Sequence, residues 1–333
     1  MNILVLAGGY SPERDVSLAS GCLIANALMK NGWNVALADV FEGVGDAAFQ
    51  APGSREYAYA IPEEAPDLEA LRRRQPGHSL IGPGILDLAA KADVVFLALH
   101  GGMGENGQLQ ATLDTFGIRY TGSGYEACML AMNKALTKRL LDAAGIPTPK
   151  GILTAEVPAN VSYPCFVKPV SGGSSLGTSR VDCAADLESA VRAAQRYEQA
   201  VLVEEMVEGR EFSVGVLEGK ALPPIEIIPL EGFYDYKRKY QSGLTREICP
   251  AELTEAETAA AQDAAVRVVR TLGLRDYARV DFIQDRRTGT FVCLEANTLP
   301  GMTPMSLLPQ EARAAGISYE ALCRRIVELA LQH

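Results

Sequence analysis

The sequence lacks the features that mark several large classes of protein. Basic charge is scarce, because 31 Lys and Arg stand against 41 Asp and Glu, for a formal net charge of -10. A nucleic-acid surface would need a basic stripe, so we expect no nucleic-acid partner. No apolar run reaches the roughly 20 residues of a transmembrane helix, and the opening MNILVLAGG has no basic lead or cleavage-site pattern. These absences predict a soluble, cytoplasmic protein with no membrane partner.

Close cysteine pairs are also missing. The seven cysteines, an odd number, are scattered at positions 22, 128, 165, 183, 249, 293 and 323. Several of them lie in apolar runs, which favours buried reduced thiols over a disulfide framework or a zinc site. What the chain does have is 333 residues, 48% of them hydrophobic. That is enough for two or three domains of roughly 100–200 residues.

Strands and helices alternate in the first third of the chain. Buried strands are predicted at 2–9 and 34–40, with a helix at 16–32 between them. A third strand is predicted at 92–102, around the apolar run VVFLAL. This alternation predicts a parallel sheet covered by helices on its faces. Residues 42–90 are rich in Pro, Gly and Glu and are predicted only as a surface insertion.

The rest of the chain predicts helices packed on antiparallel strands. The predicted helices are 133–151, 186–197 and 254–273, followed by two more near the end of the chain. The predicted strands are 163–170, 200–209, a pair around a Gly-Lys turn at 211–229, and a hairpin at 278–297.

Three oxygen-bearing side chains converge on the predicted hairpin. Glu295 and Asn297 lie two residues apart near the end of its second strand, so they point to the same face. With a turn at 286–289, Asp281 on the first strand falls roughly opposite Glu295. Such oxygens suit a hard divalent cation, and the three residues are candidate magnesium ligands. The alternative is a surface hairpin with exposed acids, which the apolar neighbouring residues disfavour.

A Gly-Ser loop and an acidic segment could contact a nucleotide. The loop SGGSSLG (171–177) follows Lys168, and its N–H groups, its hydroxyls and the lysine could all approach phosphate oxygens. It is not a Walker loop, and a mobile connector is the alternative. VEEMVEGREF (203–212) could bind adenine through its backbone and ribose through an acid, or could be a solvated acidic edge.

A glycine turn opens the first helix in GGYSPERDVSLASG (8–21). Its free N–H groups would favour an anion, and Glu13 could meet the ammonium group of a substrate. The alternative is a dinucleotide fingerprint, but the glycine spacing does not fit one.

Taken in order, these segments resemble the D-alanine–D-alanine ligase family, which has the ATP-grasp fold. The matching stretches run from near residue 4 to near 330, except for 42–90. They are GGYSPERDVSLASG, LHGGMGENGQLQ, YTGSG, NKALTKRLL, FVKPVSGGSSLG, VLVEEMVEGREFSV, FYDYKRKY, CPAEL, ARVDF and EANTLPGMTPMSLLP.

The resemblance implies a mixed α/β and α+β architecture in three parts. These are an N-terminal parallel α/β substrate-binding domain at 1–122, a central subdomain at 123–207 and a C-terminal antiparallel-sheet catalytic domain at 208–333. It implies that ATP phosphorylates the carboxylate of one D-alanine, and that the amine of a second displaces phosphate to give D-alanyl-D-alanine for peptidoglycan precursors. It further implies two Mg²⁺ or Mn²⁺ ions and a homodimer, and it leaves a monovalent cation open.

The resemblance also assigns roles to individual residues. The implied metal ligands are Asp281, Glu295 and Asn297. The implied ATP contacts are Lys134, Lys168, Ser174, Ser175, Glu204, Glu205, Met206, Val207, Glu211 and Lys239. The implied substrate and catalytic residues are Glu13 with His100 for the first D-alanine, Ser174 and Tyr240 linked to Glu13 beneath a lid, Arg279 and the Gly301 N–H as oxyanion hole, and Ser306 and Leu307 for the second D-alanine.

Two positions depart from the family pattern, and rival functions stay open. Asn106 and Asn133 stand where the family usually has acids, so we expect altered helix capping or hydrogen bonding around the site. No histidine lies in the predicted lid at 231–247, which favours an amine over lactate as nucleophile. The rivals are a ligase of the same fold that uses D-lactate, D-serine or another amino acid, and a nucleotide-binding regulator without turnover.

Overall fold

Three β-sheets organise residues 1–62, 64–75, 77, 79–173, 177–229 and 245–333, which the computed structural model describes. The helices of this part are α1 (Arg14–Lys30), α2 (Leu68–Arg74), α3 (Ile85–Ala89), α4 (Gly102–Glu105), α5 (Gln108–Thr115), α6 (Tyr125–Met132), α7 (Lys134–Ala143), α8 (Ala184–Ala194), α9 (Glu255–Thr271), α10 (Leu307–Ala314) and α11 (Tyr319–Ala330). The strands are β1 (Asn2–Ala7), β2 (Asn34–Asp39), β3 (Val94–Leu97), β4 (Gly151–Thr154), β5 (Cys165–Pro169), β6 (Ser179–Val181), β7 (Val201–Glu205), β8 (Gly209–Leu217), β9 (Lys220–Ala221), β10 (Ile225–Pro229), β11 (Thr245–Ile248), β12 (Tyr277–Asp285) and β13 (Phe291–Asn297).

The first sheet is parallel, in the order β2-β1-β3, as the sequence predicts. Helix α1 packs closely on it at Gly21, where a Cβ atom would lie 2.6 Å from the Cβ of Ala7. The third strand is shorter than the predicted 92–102. It ends at Leu97, because Gly101 takes a left-handed φ of 66° and Gly102 begins α4. The loop that follows this strand therefore turns back over the N-terminus of α1.

Residues 42–90 are more than a surface insertion, which corrects the prediction. Ile85 and Ala89 of α3 are fully buried in the core of the first sheet. Tyr57 is also buried there, and its hydroxyl donates to the carbonyl oxygen of Val35 at 3.2 Å. The apolar residues of this segment are irregularly spaced, so no periodic pattern revealed their burial.

The second sheet is antiparallel, in the order β4-β7-β5-β6, and α8 covers one of its faces. Helix α7, which precedes it, ends at Ala143 instead of continuing to 151. Gly145 takes a left-handed φ of 64°, and prolines at 147 and 149 cannot continue a helix. The helix therefore ends just before the Gly-Ile-Pro sequence at 145–147, inside the predicted range.

The third sheet runs β11-β10-β8-β12-β13, with β9 paired to β8, and all its pairings are antiparallel. Helix α9 covers one face and begins with a capping box between Thr254 and Glu257. Strands β12 and β13 form the predicted hairpin. Asp281 pairs with Glu295 across it, which confirms the predicted placement, and the register shifts by one residue between Asp281 and Phe282.

The last two helices return to the first sheet. The residues of α11 that are buried in its core are Leu322, Cys323, Ile326, Val327 and Ala330. Leu308 and Ala312 of α10 belong to the same cluster. The three sheets fall within the three predicted domains, whose boundaries remain a prediction, and these two helices connect the last part of the chain to the first.

Two further expectations can be compared with the structure. Every one of the seven cysteines has a free thiol, and five of them are buried, whereas Cys183 is exposed and Cys249 is half-buried. No helix in the described ranges combines the length and the apolar character that crossing a membrane would require.

Candidate active site

A cleft of about 640 Å³ lies between the second and third sheets. Lys168 of β5 and Met206, which follows β7, line it from the second sheet. Asp281 of β12 and Glu295 of β13 line it from the third. The cleft thus brings together the loop lysine, the acidic segment and the hairpin acids that the sequence singled out separately.

Asp281 is the centre of a hydrogen-bonded cluster at the floor of the cleft. Its carboxylate accepts two hydrogen bonds from Arg279, from Nε at 2.9 Å and from Nη2 at 2.8 Å. The Ser213 hydroxyl donates to it at 2.8 Å, and Asn297 Nδ2 donates at 3.1 Å. Asp281 is buried, and such a carboxylate is costly to enclose unless it is paired in this way.

Strand register explains why these side chains meet. Arg279 pairs with Asn297, and Asp281 pairs with both Glu295 and Ser213 across the neighbouring strands. Directly opposed residues of antiparallel strands point to the same face, so all five side chains project together. The period-2 argument therefore correctly placed the three candidate metal ligands on one face.

Glu204 is bound by two lysines, one of which the sequence analysis missed. Lys138 Nζ lies 2.6 Å from Glu204 Oε1, and Lys168 Nζ makes a close ion pair with Oε2. Burial raises the pKa of Glu204, but Lys168 and Lys138 outweigh this and the net shift is downward. Lys138 follows Lys134 by four positions on α7, a spacing that places the two on one helix face and could have indicated it.

Lys134 connects α7 to the Gly-Ser loop. Its Nζ donates to the carbonyl oxygen of Gly172 at 2.6 Å. The preceding Asn133 caps the helix, since its side-chain oxygen accepts from the Leu136 N–H at 3.0 Å. Asn106 is the other position that departs from the family pattern. Its side-chain oxygen accepts at 3.0 Å from the N–H of Gln108, where α5 begins. Both asparagines therefore satisfy N–H groups at helix starts.

Glu13 and His100 lie together at the N-terminus of α1, and both are buried. His100 Nδ1 is 3.2 Å from the carbonyl oxygen of Leu299 and must be the donor, because a carbonyl only accepts. Burial lowers the pKa of His100, an effect that nearby Glu13 opposes. The neutral ring then presents Nε2 as an acceptor, and within the described residues Nε2 has no hydrogen-bond partner.

Glu105 is a second carboxyl group beside Glu13 that the sequence analysis did not select. The Gly101 N–H donates to its Oε2 at 2.8 Å. Burial, followed by the charge of Glu13, raises the pKa of Glu105 to about 8. It is therefore largely neutral at pH 7. In the sequence, Glu105 was marked as a site residue only by its place in GENG, next to Asn106, where the family usually has an acid.

A tight turn precedes α10. The Ser306 hydroxyl accepts from the Thr303 N–H at 3.1 Å and lies 2.8 Å from the Thr303 hydroxyl. A Cβ atom on Gly301 would lie 2.7 Å from the Ser306 hydroxyl, so this position has no room for a side chain. Gly301, Ser306 and Leu307 are thus brought together. His100 joins this turn to the Glu13 site through Leu299.

The remaining selected residues divide into two groups. Those that line the cleft are Glu205, Met206, Val207 and Glu211. Those that lie outside the described residues are Ser174, Ser175, Lys239 and Tyr240, together with most of the predicted lid at 231–247. In the described ranges no three His, Cys, Asp or Glu side chains form a metal-binding group, and the candidate metal set is instead two acids and one asparagine.

Comparison with known proteins gives a consistent result over nearly the whole chain. Family models described as D-ala D-ala ligase N-terminus and C-terminus match residues 2–123 and 140–328. D-alanine–D-alanine ligases of Pediococcus pentosaceus and Nitratidesulfovibrio vulgaris are 44% and 42% identical to the chain. These alignments cover 98% and 99% of this chain and 97% and 98% of the relatives. The crystal structure of D-alanine–D-alanine ligase from Bacillus anthracis complexed with ATP matches with a TM-score of 0.78 and 29% identity, and covers 100% of this chain and 97% of that one.

Proposed function

The chain belongs to the D-alanine–D-alanine ligase family, and we propose how its cleft joins two D-alanines at the expense of ATP. The protein is an ATP-dependent ligase of the ATP-grasp fold that makes D-alanyl-D-alanine for peptidoglycan synthesis. The single observation that supports the proposed chemistry best is the Asp281 cluster, which sets an arginine, two acids and an amide on one face of the cleft floor.

ATP binds in the cleft between the two antiparallel sheets. Lys134 and Lys168 neutralise its phosphates, and the segment from Glu204 to Val207 with Glu211 frames the adenine and ribose. The ion pairs of Glu204 with Lys138 and Lys168 support this assignment, because the pair with Lys168 fixes the Lys168 ammonium group at the wall of the cleft. Phosphoryl transfer needs mainly such positioning and neutralisation of charge.

Two Mg²⁺ or Mn²⁺ ions would be held by Asp281, Glu295 and Asn297. The donor set fits, since two carboxylates and the amide group of Asn297 face one space and hard cations prefer oxygen. When bound, the ions would neutralise the phosphate charge that develops during transfer. Asp281 already carries hydrogen bonds from Arg279, Ser213 and Asn297, which hold its carboxylate in place.

The first D-alanine binds at the N-terminus of α1. Its ammonium group meets the carboxylate of Glu13 and the acceptor nitrogen Nε2 of His100. Its carboxylate then attacks the γ-phosphorus of ATP, which gives an acyl phosphate and ADP. Ser174 and Tyr240, which lie outside the described residues, would close over this site as the family resemblance implies.

The second D-alanine binds at the turn before α10, near Ser306 and Leu307. Its ammonium group first loses a proton, and the neutral amine nitrogen attacks the acyl carbon. The C–O bond to phosphate then breaks, and inorganic phosphate leaves with the second proton of the nitrogen. Arg279 and the Gly301 N–H stabilise the oxyanion that forms. The position of Arg279 beside Asp281 and the absence of room at Gly301 for a side chain support these roles.

A product assay tests this function. The purified chain is incubated with ATP, Mg²⁺ and a panel of D- and L-amino acids plus D-lactate, and phosphate release and product mass are measured. We expect D-alanyl-D-alanine with one phosphate released per dipeptide. A depsipeptide or a mixed dipeptide would support the alternative acceptors, and nucleotide binding without phosphate release would identify a regulator. The same preparation can test the proposed homodimer by light scattering.

A further inference from the structure

Glu247, on β11, is a carboxylate that none of the roles above uses. Its partner on β10 is Ile227, so the two side chains share one face of the third sheet. Ile227 lines the cleft. It also packs with Ile225 and Leu307, the first residue of α10. Glu247 therefore lies on the face of the sheet that carries the start of α10.

Hydrogen bonds fix Glu247 against the turn that precedes α10. Gln310 Nε2 donates to Glu247 Oε2 at 2.5 Å and to the carbonyl oxygen of Met305 at 2.8 Å. Met305 immediately precedes Ser306. One amide group of α10 therefore holds the Glu247 carboxylate beside the backbone of the proposed second-substrate site.

Arg279 lies close enough to influence Glu247. Burial raises the pKa of Glu247, and the Gln310 hydrogen bond and the Arg279 charge act in the opposite direction. Glu247 is half-buried, with no ion pair among the described residues. A half-buried carboxylate of this kind is stabilised by a cationic group that reaches it.

The chemistry of the second substrate matches three features around Glu247. An amino acid presents an ammonium group, a side chain and a carboxylate around one carbon atom. The N-terminus of α10 with Ser306 suits the carboxylate, and the apolar side chains of Leu307 and Ile227, which pack together, suit a methyl group. The carboxylate of Glu247 is the matching partner for the ammonium group.

We propose that Glu247 binds the ammonium group of the second D-alanine and thereby makes the site select an amino acid over a hydroxy acid. The inference rests on the proposed function of the cleft. A hydroxy acid such as D-lactate has no positive charge to offset the enclosed carboxylate, so it enters at a cost. Recognition of three different groups around one carbon also favours one enantiomer over the other.

The test compares Glu247→Gln with the wild type in the ligase reaction. Glutamine keeps the shape and can still accept the Gln310 hydrogen bond, but it lacks the charge. We expect the KM for the second D-alanine to rise by about tenfold or more, the range for a lost hydrogen bond to a charged group. The KM values for ATP and for the first D-alanine should stay within about twofold. With D-lactate as competitor, the ratio of depsipeptide to dipeptide should increase.

The controls separate this inference from the proposed function. Glu252→Gln makes the same chemical change at an exposed position and should behave as the wild type. Glu247→Asp should restore part of the second-site affinity. If wild type forms the dipeptide but Glu247→Gln leaves the second KM and the acceptor ratio unchanged, the inference is wrong and the ligase function stands. Equal losses at all three substrates would also overturn it, since they would indicate a purely structural role.

Discussion

The Glu105 carboxyl group holds a proton beside the first-substrate site, and its ionisation should make the free energy of unfolding depend on pH. Its pKa lies at about 8, above the ordinary 4.5. Between those values the folded chain holds more protons than the unfolded chain, so the free energy of unfolding falls as pH rises through this window. Glu105→Gln mimics the protonated form and should remove that part of the pH dependence.

Urea unfolding of the ligand-free protein at pH 6 and pH 8.5 measures this effect. The wild type should lose more stability between the two values than Glu105→Gln. Glu64→Gln, at an exposed position, is the matched control and should follow the wild type. Identical losses in all three proteins would contradict the assignment.

Glu295→Gln should reduce turnover while leaving the fold intact. The amide keeps the shape of the side chain but is a weaker partner for a hard cation. Even outer-shell changes at metal sites cost 10–100-fold, so we expect a loss of at least about tenfold in phosphate release. The magnesium concentration for half-maximal rate should rise. Wild-type rates at saturating magnesium would refute the metal assignment, and an unchanged melting curve serves as the folding control.

Gly215 makes room for a buried acid, and substituting it should destabilise the fold. A Cβ atom there would lie 2.5 Å from Glu311 Oε2 and 2.6 Å from Leu308 Cδ1. Glu311 is fully buried, and its carboxyl group lies against the backbone of Gly215. Gly215→Ala should therefore cost about 1–3 kcal/mol through overpacking, measured by chemical denaturation.

Gly124→Ala is the control for that substitution. Its backbone is extended, and the nearest atom to the added methyl would be the Tyr120 hydroxyl at 4.0 Å. It should change stability by less than the Gly215 variant. A double variant with Glu311→Ala should recover part of the loss, because the clash with the carboxylate is removed.

At the scale of elements, one buried ion cluster connects α7, β5 and β7. Lys138→Met removes a partner of Glu204 but leaves Lys168, whereas Glu204→Ala leaves two lysines facing each other. Breaking a buried pair by removing one partner costs roughly 3–5 kcal/mol. We expect Glu204→Ala to reach that range and Lys138→Met to fall below it. Melting curves and the KM for ATP measure the two effects, and the reverse order would contradict this account.

Sequence patterns predicted elements best where both the period and the boundaries were encoded locally. The β12–β13 hairpin was predicted with Asp281 roughly opposite Glu295 because apolar alternation and a turn fix the approximate register, whereas the β-bulge between Asp281 and Phe282 was not predicted. Helix α7 was predicted too long, to 151, although Gly145, Pro147 and Pro149 disfavour a helix beyond Ala143. The third strand was also predicted too long, because its apolar run continues past Leu97 to Leu99.

Site residues that lie close together in the sequence were predicted, whereas those whose partners are distant in the sequence were missed. Asp281, Glu295 and Asn297 lie on two strands joined by a short turn, so the spacing alone placed them together. Lys138 and Glu105 were missed because their partners, Glu204 and the Glu13 turn, are distant in sequence. Burial and electrostatic coupling of that kind depend on how the sheets pack, which periodicity does not describe.

At the scale of the whole molecule, α11 joins the last part of the chain to the first sheet. Its partner could not be predicted, because an amphipathic helix encodes the apolar face but not the surface that face covers. Ile326 is fully buried in the core of the first sheet. Ile326→Ala should therefore cost about 2–5 kcal/mol, as for other large-to-small changes in a core.

A fragment experiment tests the same connection. Residues 1–122 alone leave the surface that α11 covers open to solvent, so we expect no cooperative melting transition. Adding a synthetic peptide of residues 307–333 should restore protection of β1 in hydrogen exchange. Cooperative melting of the isolated fragment would show that α11 is dispensable for the first sheet. Leu331→Ala, at an exposed position beyond α11, is a control that should change little in the full chain.

The return of α11 also matters while the protein is being made. The ribosome completes β3 long before it reaches residue 319, and at 5–20 residues per second the interval is on the order of ten seconds or more. Throughout that time the nascent chain exposes to solvent the apolar surface of the first sheet that α11 later covers. A chaperone that holds the growing polypeptide would therefore be engaged until translation is nearly finished, and slower synthesis would lengthen the exposure.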